Sequence, residues 1–95
     1  PPDILQLSAG CYEFDGMVLL DDIADMLPLS FGDPEEDTIG GYVFGLLGRK
    51  PEVGDEVRIG GYAFKILKTE GFRVVRVQAT PLAEEPAEQK DEGDE

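Results

Sequence analysis

The sequence contains no histidine and no tryptophan among its 95 residues. Histidine is the usual general base near neutral pH and the commonest nitrogen ligand of zinc, so its absence disfavours triad hydrolysis and histidine-based metal catalysis. No nucleophile stands beside a base elsewhere in the chain, and no Walker or G-x-G-x-x-G loop is present. We therefore expect a protein that is not an enzyme.

Cysteine occurs once, at Cys11, so no internal disulfide can form. A single cysteine favours a reduced structural thiol in a cytosolic setting over a redox or dimer-bridging role. No apolar run approaches the roughly 20 residues that cross a bilayer, and no signal-peptide pattern is present. The chain begins with Pro1 and Pro2 rather than methionine, which indicates a piece of a longer protein. We expect this piece by itself to be soluble.

Positive charge is scarce, and the formal net charge is −13. Residues 3–37 contain ten acidic residues and no basic residue. Residues 38–82 contain four acidic and seven basic residues, and residues 83–95 contain seven acidic residues and one basic residue. This distribution repels phosphates, so nucleic acid and anionic lipid headgroups are poor partner candidates. A solvated acidic surface is favoured over a surface that binds a basic partner or divalent ions.

Composition divides the chain into three parts. Residues 1–7 are predicted to be a linker or docking segment, with pairing at a sheet edge as the alternative. Residues 8–82 are long enough for one modestly stable domain. Residues 83–95 contain no aromatic or branched apolar side chain and are predicted to be an acidic disordered tail.

The first half of the domain is predicted to contain a strand and a short helix. The strand runs from Ser8 to Phe14 and ends where Asp15-Gly16 supplies the positive-φ residues of a tight turn. The helix starts near Leu20, with Asp21 as N-cap candidate, and ends before Pro28.

A second helix is predicted at about Thr38 to Gly48, capped by Thr38 or Asp37 and stopped by Gly48. Each glycine inside it costs roughly 1 kcal/mol relative to alanine. Gly41 and Gly45 lie one turn apart on one face, so we infer close approach of another backbone there.

The last part of the domain is predicted to contain three strands. Val57–Ile59 and Tyr62–Leu67 are joined by a Gly-Gly hairpin signal, and the third strand runs from Phe72 to Ala79. Alternation predicts two sets of side chains on a buried face: Tyr62, Phe64 and Ile66 in one strand, and Val75, Val77 and Ala79 in the other. The predicted fold is α+β, with two layers: a mainly antiparallel sheet of four or five strands and two short helices.

Acidic loop residues are the best candidates for binding a divalent ion, because hard oxygen ligands suit Mg²⁺ or Ca²⁺. Capping and solvation are the alternative role. The first candidate site comprises Asp33, Glu35, Glu36 and Asp37. A second cluster comprises Asp15, Asp21 and Asp22.

Two further groups of residues permit a structural and a functional interpretation. Arg73 and Arg76 either pair with Glu70 and neighbouring acids or form an inter-domain or dimer contact. Six aromatic residues are assigned to the core rather than to a ligand pocket. They are Tyr12, Phe14, Tyr42, Phe44, Tyr62 and Phe64.

The order of the motifs resembles the transporter-associated domain of the CorC and HlyC (hemolysin C-like) membrane proteins. The likeness covers roughly Cys11 to Pro81. Its motifs are Tyr-x-Phe-Asp-Gly, an acidic helix and loop, Thr-x-Gly-Gly, Pro-x-x-Gly-Asp, a Gly-Gly hairpin and Arg-Val-x-Arg-Val. The resemblance implies an accessory cytoplasmic domain of a magnesium and cobalt efflux or hemolysin-like protein, at the cytoplasmic face of the cell membrane.

The same resemblance implies partners and a competing function. The membrane domain and the paired CBS domains of its own parent are the expected partners, and a homodimer is a further option. The family fold is similar to the FAD-binding subdomain of certain flavoenzymes, so binding of FAD or another nucleotide is the alternative function. We expect no cofactor beyond weakly bound Mg²⁺ or Ca²⁺.

Overall fold

The computed structural model describes residues 2–82, which form one five-stranded antiparallel sheet and two helices. The sheet order is β1-β2-β5-β4-β3. This architecture confirms the predicted α+β fold, and the sheet has the larger of the two predicted strand numbers. The elements are β1 (Ile4–Ser8), β2 (Cys11–Asp15), α1 (Leu20–Met26), α2 (Ile39–Leu47), β3 (Glu56–Ile59), β4 (Tyr62–Glu70) and β5 (Arg73–Pro81).

The N-terminal strand forms one edge of the sheet. Ile4 pairs with Phe14 of β2, so the alternative of pairing at a sheet edge, rather than a free linker, describes Ile4–Ser8.

The predicted turn at Asp15-Gly16 is present, since the N–H of Val18 donates to the carbonyl of Asp15 at 3.0 Å. It leads into α1 and not into a hairpin, and Gly16 is not among the glycines with positive φ. A further turn, which was not predicted, precedes β2. The chain turns at Gly10, whose φ is 78°, so Ser8 and Cys11 belong to two different strands. The predicted acidic tail, residues 83–95, lies outside the described residues.

Helix α1 begins through backbone contacts rather than through a side-chain cap. Leu19 occupies the N-cap position and makes no side-chain cap hydrogen bond. The N–H of Leu20 instead donates to the carbonyl of Asp37 at 2.9 Å. The prediction of Asp21 as N-cap is therefore wrong, because a neighbouring chain segment satisfies the helix start.

Helix α2 has the ends that the sequence predicts. The hydroxyl of Thr38 accepts a hydrogen bond from the N–H of Gly41 at 3.2 Å, so Thr38 rather than Asp37 is the cap. Gly48 ends the helix in the left-handed conformation, with φ 68°. Within residues 2–82, neither helix has the length and apolar character needed to cross a membrane.

The core lies between the two helices and one face of the sheet. Tyr62, Phe64 and Ile66 of β4 are buried there, as predicted. In β5 the buried set begins with Val74, while Val75 is half-buried. The prediction for Val75 is wrong because the β4–β5 register shifts between Ile66 and Thr69. The bulge there places Val74, rather than Val75, on the buried face of the sheet. The largest fully buried side chains among the described residues are Phe14, Ile23, Ile39, Val43, Pro51, Phe64, Ile66 and Val77.

Candidate functional site

A groove opens where the turn after β2, the start of α2 and the β4–β5 hairpin meet. It encloses about 240 Å³. Buried Gly40 and Val74 form its floor, and the more exposed Met17, Phe44 and Phe72 form its walls. We call these five residues, together with Lys50 and Arg73 at the rim, the aromatic groove.

Two glycines hold the floor of the aromatic groove together. The N–H of Gly16 donates to the carbonyl of Val75 at 2.7 Å, and the N–H of Gly40 donates to the carbonyl of Gly16 at 2.8 Å. A Cβ atom on Gly16 would lie 2.1 Å from the carbonyl oxygen of Val74, and one on Gly40 would lie 2.8 Å from the same oxygen. Only glycine lets these backbones approach so closely.

This contact corrects the prediction for the glycine face of α2. A Cβ on Gly41 would meet the end of the Glu36 side chain, and one on Gly45 would meet nothing within 4 Å. The close backbone approach is real, but it occurs at Gly40. Helical spacing identified the helix and could not identify which of its faces meets the sheet.

The walls of the aromatic groove are exposed aromatic side chains. Phe44 and Phe72 contact edge-to-face, with ring centroids 6.5 Å apart and an interplanar angle of 88°. Phe72 is 65% exposed and Phe44 is 38% exposed, so the assignment of Phe44 to the core is wrong. The ammonium of Lys50 lies 5.6 Å from the Phe72 ring centroid, within cation–π range.

The other aromatic residues follow the core prediction to different degrees. Phe14, Tyr62 and Phe64 are buried in the core, while Tyr12 and Tyr42 are partly buried and pack against it. Phe72 was missed as a candidate site residue. Its position directly after Gly71, in the two-residue loop between β4 and β5, is the signal that could have identified it, because hairpin loops lie at the surface.

The N–H groups at the start of α2 already have partners. Ile39 donates to the carbonyl of Val18 at 2.9 Å, Gly40 donates to Gly16, and Gly41 donates to the Thr38 hydroxyl. A phosphate at a helix start needs free donors of this kind. Among the described residues, this helix start therefore offers none of these three donors to a nucleotide.

A second, larger cleft lies beside the start of α1. It encloses about 420 Å³ and is lined by the carboxylates Asp21, Glu36 and Asp37, together with Leu19, Leu20 and Pro34. We call it the acidic cleft. It brings together two members of the first predicted ion site and one member of the second.

The remaining predicted ion ligands lie elsewhere. Asp33 and Glu35 are exposed in the loop before α2, and Asp22 is exposed in the first turn of α1. Asp15 accepts a hydrogen bond from the N–H of Met17 and pairs with Arg76. Within residues 2–82, no group of three or more acidic or cysteine side chains is arranged to hold a metal ion. Ion binding by these residues stays a prediction.

The two arginines of β5 have different surroundings. Arg73 pairs with Glu70 at 3.5 Å, and both side chains are more than half exposed. Arg76 is only 9% exposed. Its guanidinium donates to the Glu13 carboxylate and to the carbonyl of Pro2, and it lies 3.8 Å from Asp15.

An ion pair also closes the loop that leads into β3. The guanidinium of Arg49 donates to both carboxylate oxygens of Asp55, at 2.9 and 3.0 Å. The N–H of Glu52 donates to the same carboxylate at 2.8 Å. The hydrogen bonds from Arg49, followed by the bond from Glu52, lower the pKa of Asp55.

Fold and surface together define a small α+β domain with an apolar, cation-rimmed groove and a separate acidic cleft. The chain belongs to the CorC_HlyC family of transporter associated domains, since the family's sequence model matches residues 5–83.

Curated relatives are much longer than this chain, and several carry the name of a magnesium and cobalt efflux protein. A magnesium and cobalt efflux protein CorC from Vibrio cholerae is 36% identical over 78 residues, which cover 82% of this chain and 27% of that protein. The protein YegH from Escherichia coli K12 is 36% identical over 81 residues, covering 84% of this chain and 15% of that protein. The chain thus spans about a quarter or less of these two relatives.

Solved domains have the same fold. The CorC-associated region from Neisseria meningitidis MC58 superposes with a TM-score of 0.78 at 28% identity, over 85% of this chain and 100% of that one. A hemolysin domain from Xylella fastidiosa Temecula1, solved in complex with Mg²⁺ and Mn²⁺, gives a TM-score of 0.76 at 20% identity, over 86% of this chain and 100% of that one. At 20% identity, the likeness to the hemolysin domain shows a shared fold alone.

Proposed function

We propose that this chain is an accessory domain of a larger cation-efflux membrane protein, at the cytoplasmic face of the membrane, where it modulates ion transport without catalysing a reaction. The observation that carries the proposal is family membership combined with length. Relatives named as magnesium and cobalt efflux proteins contain a matching segment that is about a quarter of their chain. The groove supports binding rather than chemistry, because the described residues that line it include no carboxylate, cysteine or histidine.

Deletion of residues 4–82 from the parent protein tests the proposal. We expect membrane insertion to persist, while the transport rate or its response to ion or nucleotide changes. The exposed substitution Val53→Ser, outside both clefts, is the matched control and should leave transport unchanged. Unchanged transport and unchanged regulation after the deletion would reject a modulating role.

Weak divalent-ion binding at the acidic cleft is a second candidate function. Three carboxylates line one cleft there, and a domain of the same fold has been solved with Mg²⁺ and Mn²⁺. Since no cage of ligands is preformed, we expect a dissociation constant of about 10⁻⁴ to 10⁻³ M at best. In a Mg²⁺ titration followed by amide chemical shifts, Asp37→Asn should weaken binding and Asp22→Asn should not. Equal effects of the two substitutions would count against a site in the cleft.

The geometry disfavours the nucleotide alternative. The larger cleft is lined by carboxylates that repel phosphate, and the aromatic groove, at about 240 Å³, lies below the roughly 300–1,000 Å³ of typical ligand sites. We therefore expect the purified chain to retain no FAD. Stoichiometric flavin absorbance after gel filtration would overturn this expectation.

A further inference from the structure

We propose that the aromatic groove is the surface through which this domain docks on the rest of its parent protein, and that it takes an apolar side chain flanked by carboxylates. The inference rests on the proposed function, since it requires a longer parent. It adds the docking surface and the chemistry of the bound segment.

Three of the nine exposed large apolar side chains of the described residues line the groove, and two of them are among the three most exposed. Met17 and Phe72 are 63% and 65% exposed, and Phe44 stands between them on α2. A cluster of large apolar side chains around a concave surface is typical of a binding site, whereas single exposed ones are ordinary.

The groove is also preformed. Its floor is fixed by the backbone hydrogen bonds of Gly16 and Gly40. The Phe72 wall stands on a two-residue hairpin loop and is braced by the edge-to-face contact with Phe44. A surface that is already in its binding shape loses little conformational entropy when a partner docks.

Charge selects the partner. Lys50 lies over the Phe72 ring, and Arg73 lines the groove. Within residues 2–82, Arg73 pairs with exposed Glu70 at 3.5 Å, a weak contact that an incoming carboxylate can replace. Both cations belong to residues 38–82, whose net charge is +3, whereas the net charge of residues 3–37 is −10. An acidic segment is therefore attracted here and repelled over the N-terminal half of the chain.

Two other occupants fit less well. A second copy docked through the same groove would bring like cations together around the symmetry axis. An anionic membrane would be repelled by the acidic residues of a chain whose net charge is −13.

Site-specific crosslinking in the full-length parent tests the inference. A photoreactive phenylalanine derivative is placed at position 72 and, as a control, at position 53, where Val53 is 64% exposed but does not line the groove. We expect a crosslink from position 72 to an acid-flanked apolar segment of the parent, at about tenfold the yield from position 53, as for a contact worth about 1.4 kcal/mol. Lys50→Glu should remove that excess.

A product with lipid, with the groove of a second copy or with a basic segment would overturn the inference, as would equal yields from the two positions. Insensitivity to Lys50→Glu would also overturn the assignment of an acidic partner. The outcome is independent of transport. If the crosslink forms but deletion of the domain leaves transport unchanged, the docking proposal stands and the modulating function is rejected. If no crosslink forms but the deletion changes transport, the docking proposal is rejected and the modulating function stands.

Discussion

Gly40 and Gly45 lie in the same helix and meet opposite surroundings. A Cβ on Gly40 would lie 2.8 Å from the carbonyl oxygen of Val74 and 2.9 Å from that of Gly16, whereas Gly45 has open space. Gly40→Ala should therefore lower the free energy of unfolding by about 2 kcal/mol through overpacking. Gly45→Ala should raise it by about 0.5–1 kcal/mol through helix propensity.

Urea unfolding of the two glycine variants beside the wild type measures both effects. Equal shifts in the same direction would mean that helix propensity alone acts at these positions, and that the backbone contact beneath the groove is not tight.

Asp55 carries the residue-scale dependence on pH. Its folded-state pKa is lowered by Arg49 and by the Glu52 N–H. Because the pKa of Asp55 is lower in the folded state, its ionised carboxylate stabilises the fold at pH values above the unfolded-state pKa of about 3.9. This stabilisation is lost as the pH falls through the folded-state pKa. Asp55→Asn should therefore be less stable than wild type at neutral pH, and the difference should shrink in acid. Chemical denaturation of both proteins at neutral and at acidic pH measures this difference in the free energy of unfolding. A difference that is the same at the two pH values would contradict this role.

At the scale of the elements, Arg76 links β5 to β2 and to the chain before β1. Its removal leaves the partly buried carboxylates of Glu13 and Asp15 close together without a cation. Arg76→Ala should destabilise the domain by about 2–3 kcal/mol, somewhat less than for a fully buried pair. Exposed Arg73→Ala is the control and should change stability by less than about 1 kcal/mol.

Thermal unfolding of the two arginine variants separates the roles. For a domain of this size, each kcal/mol moves the melting temperature by about 4–8 °C. Similar melting temperatures for the two variants would show that the Arg76 contacts contribute no more than a surface pair does.

The elements that could be predicted are those with local causes. Thr38 and Gly48 cap α2, and Gly60-Gly61 joins β3 to β4, because the signals lie within a few residues of the structure they produce. The β1–β2 turn at Gly10 was missed because Asp15-Gly16 is the stronger turn signal. Gly16 serves a contact with Val74, a residue distant in sequence, which no local pattern can reveal.

The same limit applied to the candidate site. The aromatic groove joins Met17, Phe44 and Phe72 from three separate parts of the chain. Helix α2 is apolar nearly all round, so its sequence could not show that Phe44 faces outward. The acidic cleft was predicted in part, since Glu36 and Asp37 are adjacent in sequence, but Asp21 joins them only through the fold.

At the scale of the whole molecule, the net charge of −13 opposes compaction. Raising the salt concentration from about 0.01 M to about 0.1 M shortens the Debye length from about 30 Å to about 10 Å and screens repulsion among the acids. The melting temperature should therefore rise, even though salt also weakens the few surface ion pairs. Scanning calorimetry over this salt range measures the balance.

The control for the salt experiment is the variant Asp25→Lys, which changes an exposed residue near the C-terminal end of α1 that does not line the acidic cleft. Because this variant carries less net negative charge, its melting temperature should start higher and respond less to salt. Docking at the aromatic groove should respond in the opposite sense, since screening weakens the attraction of Lys50 and Arg73 for an acidic segment. A wild-type melting temperature that falls with salt would mean that ion pairs such as Arg49–Asp55 outweigh the acid repulsion.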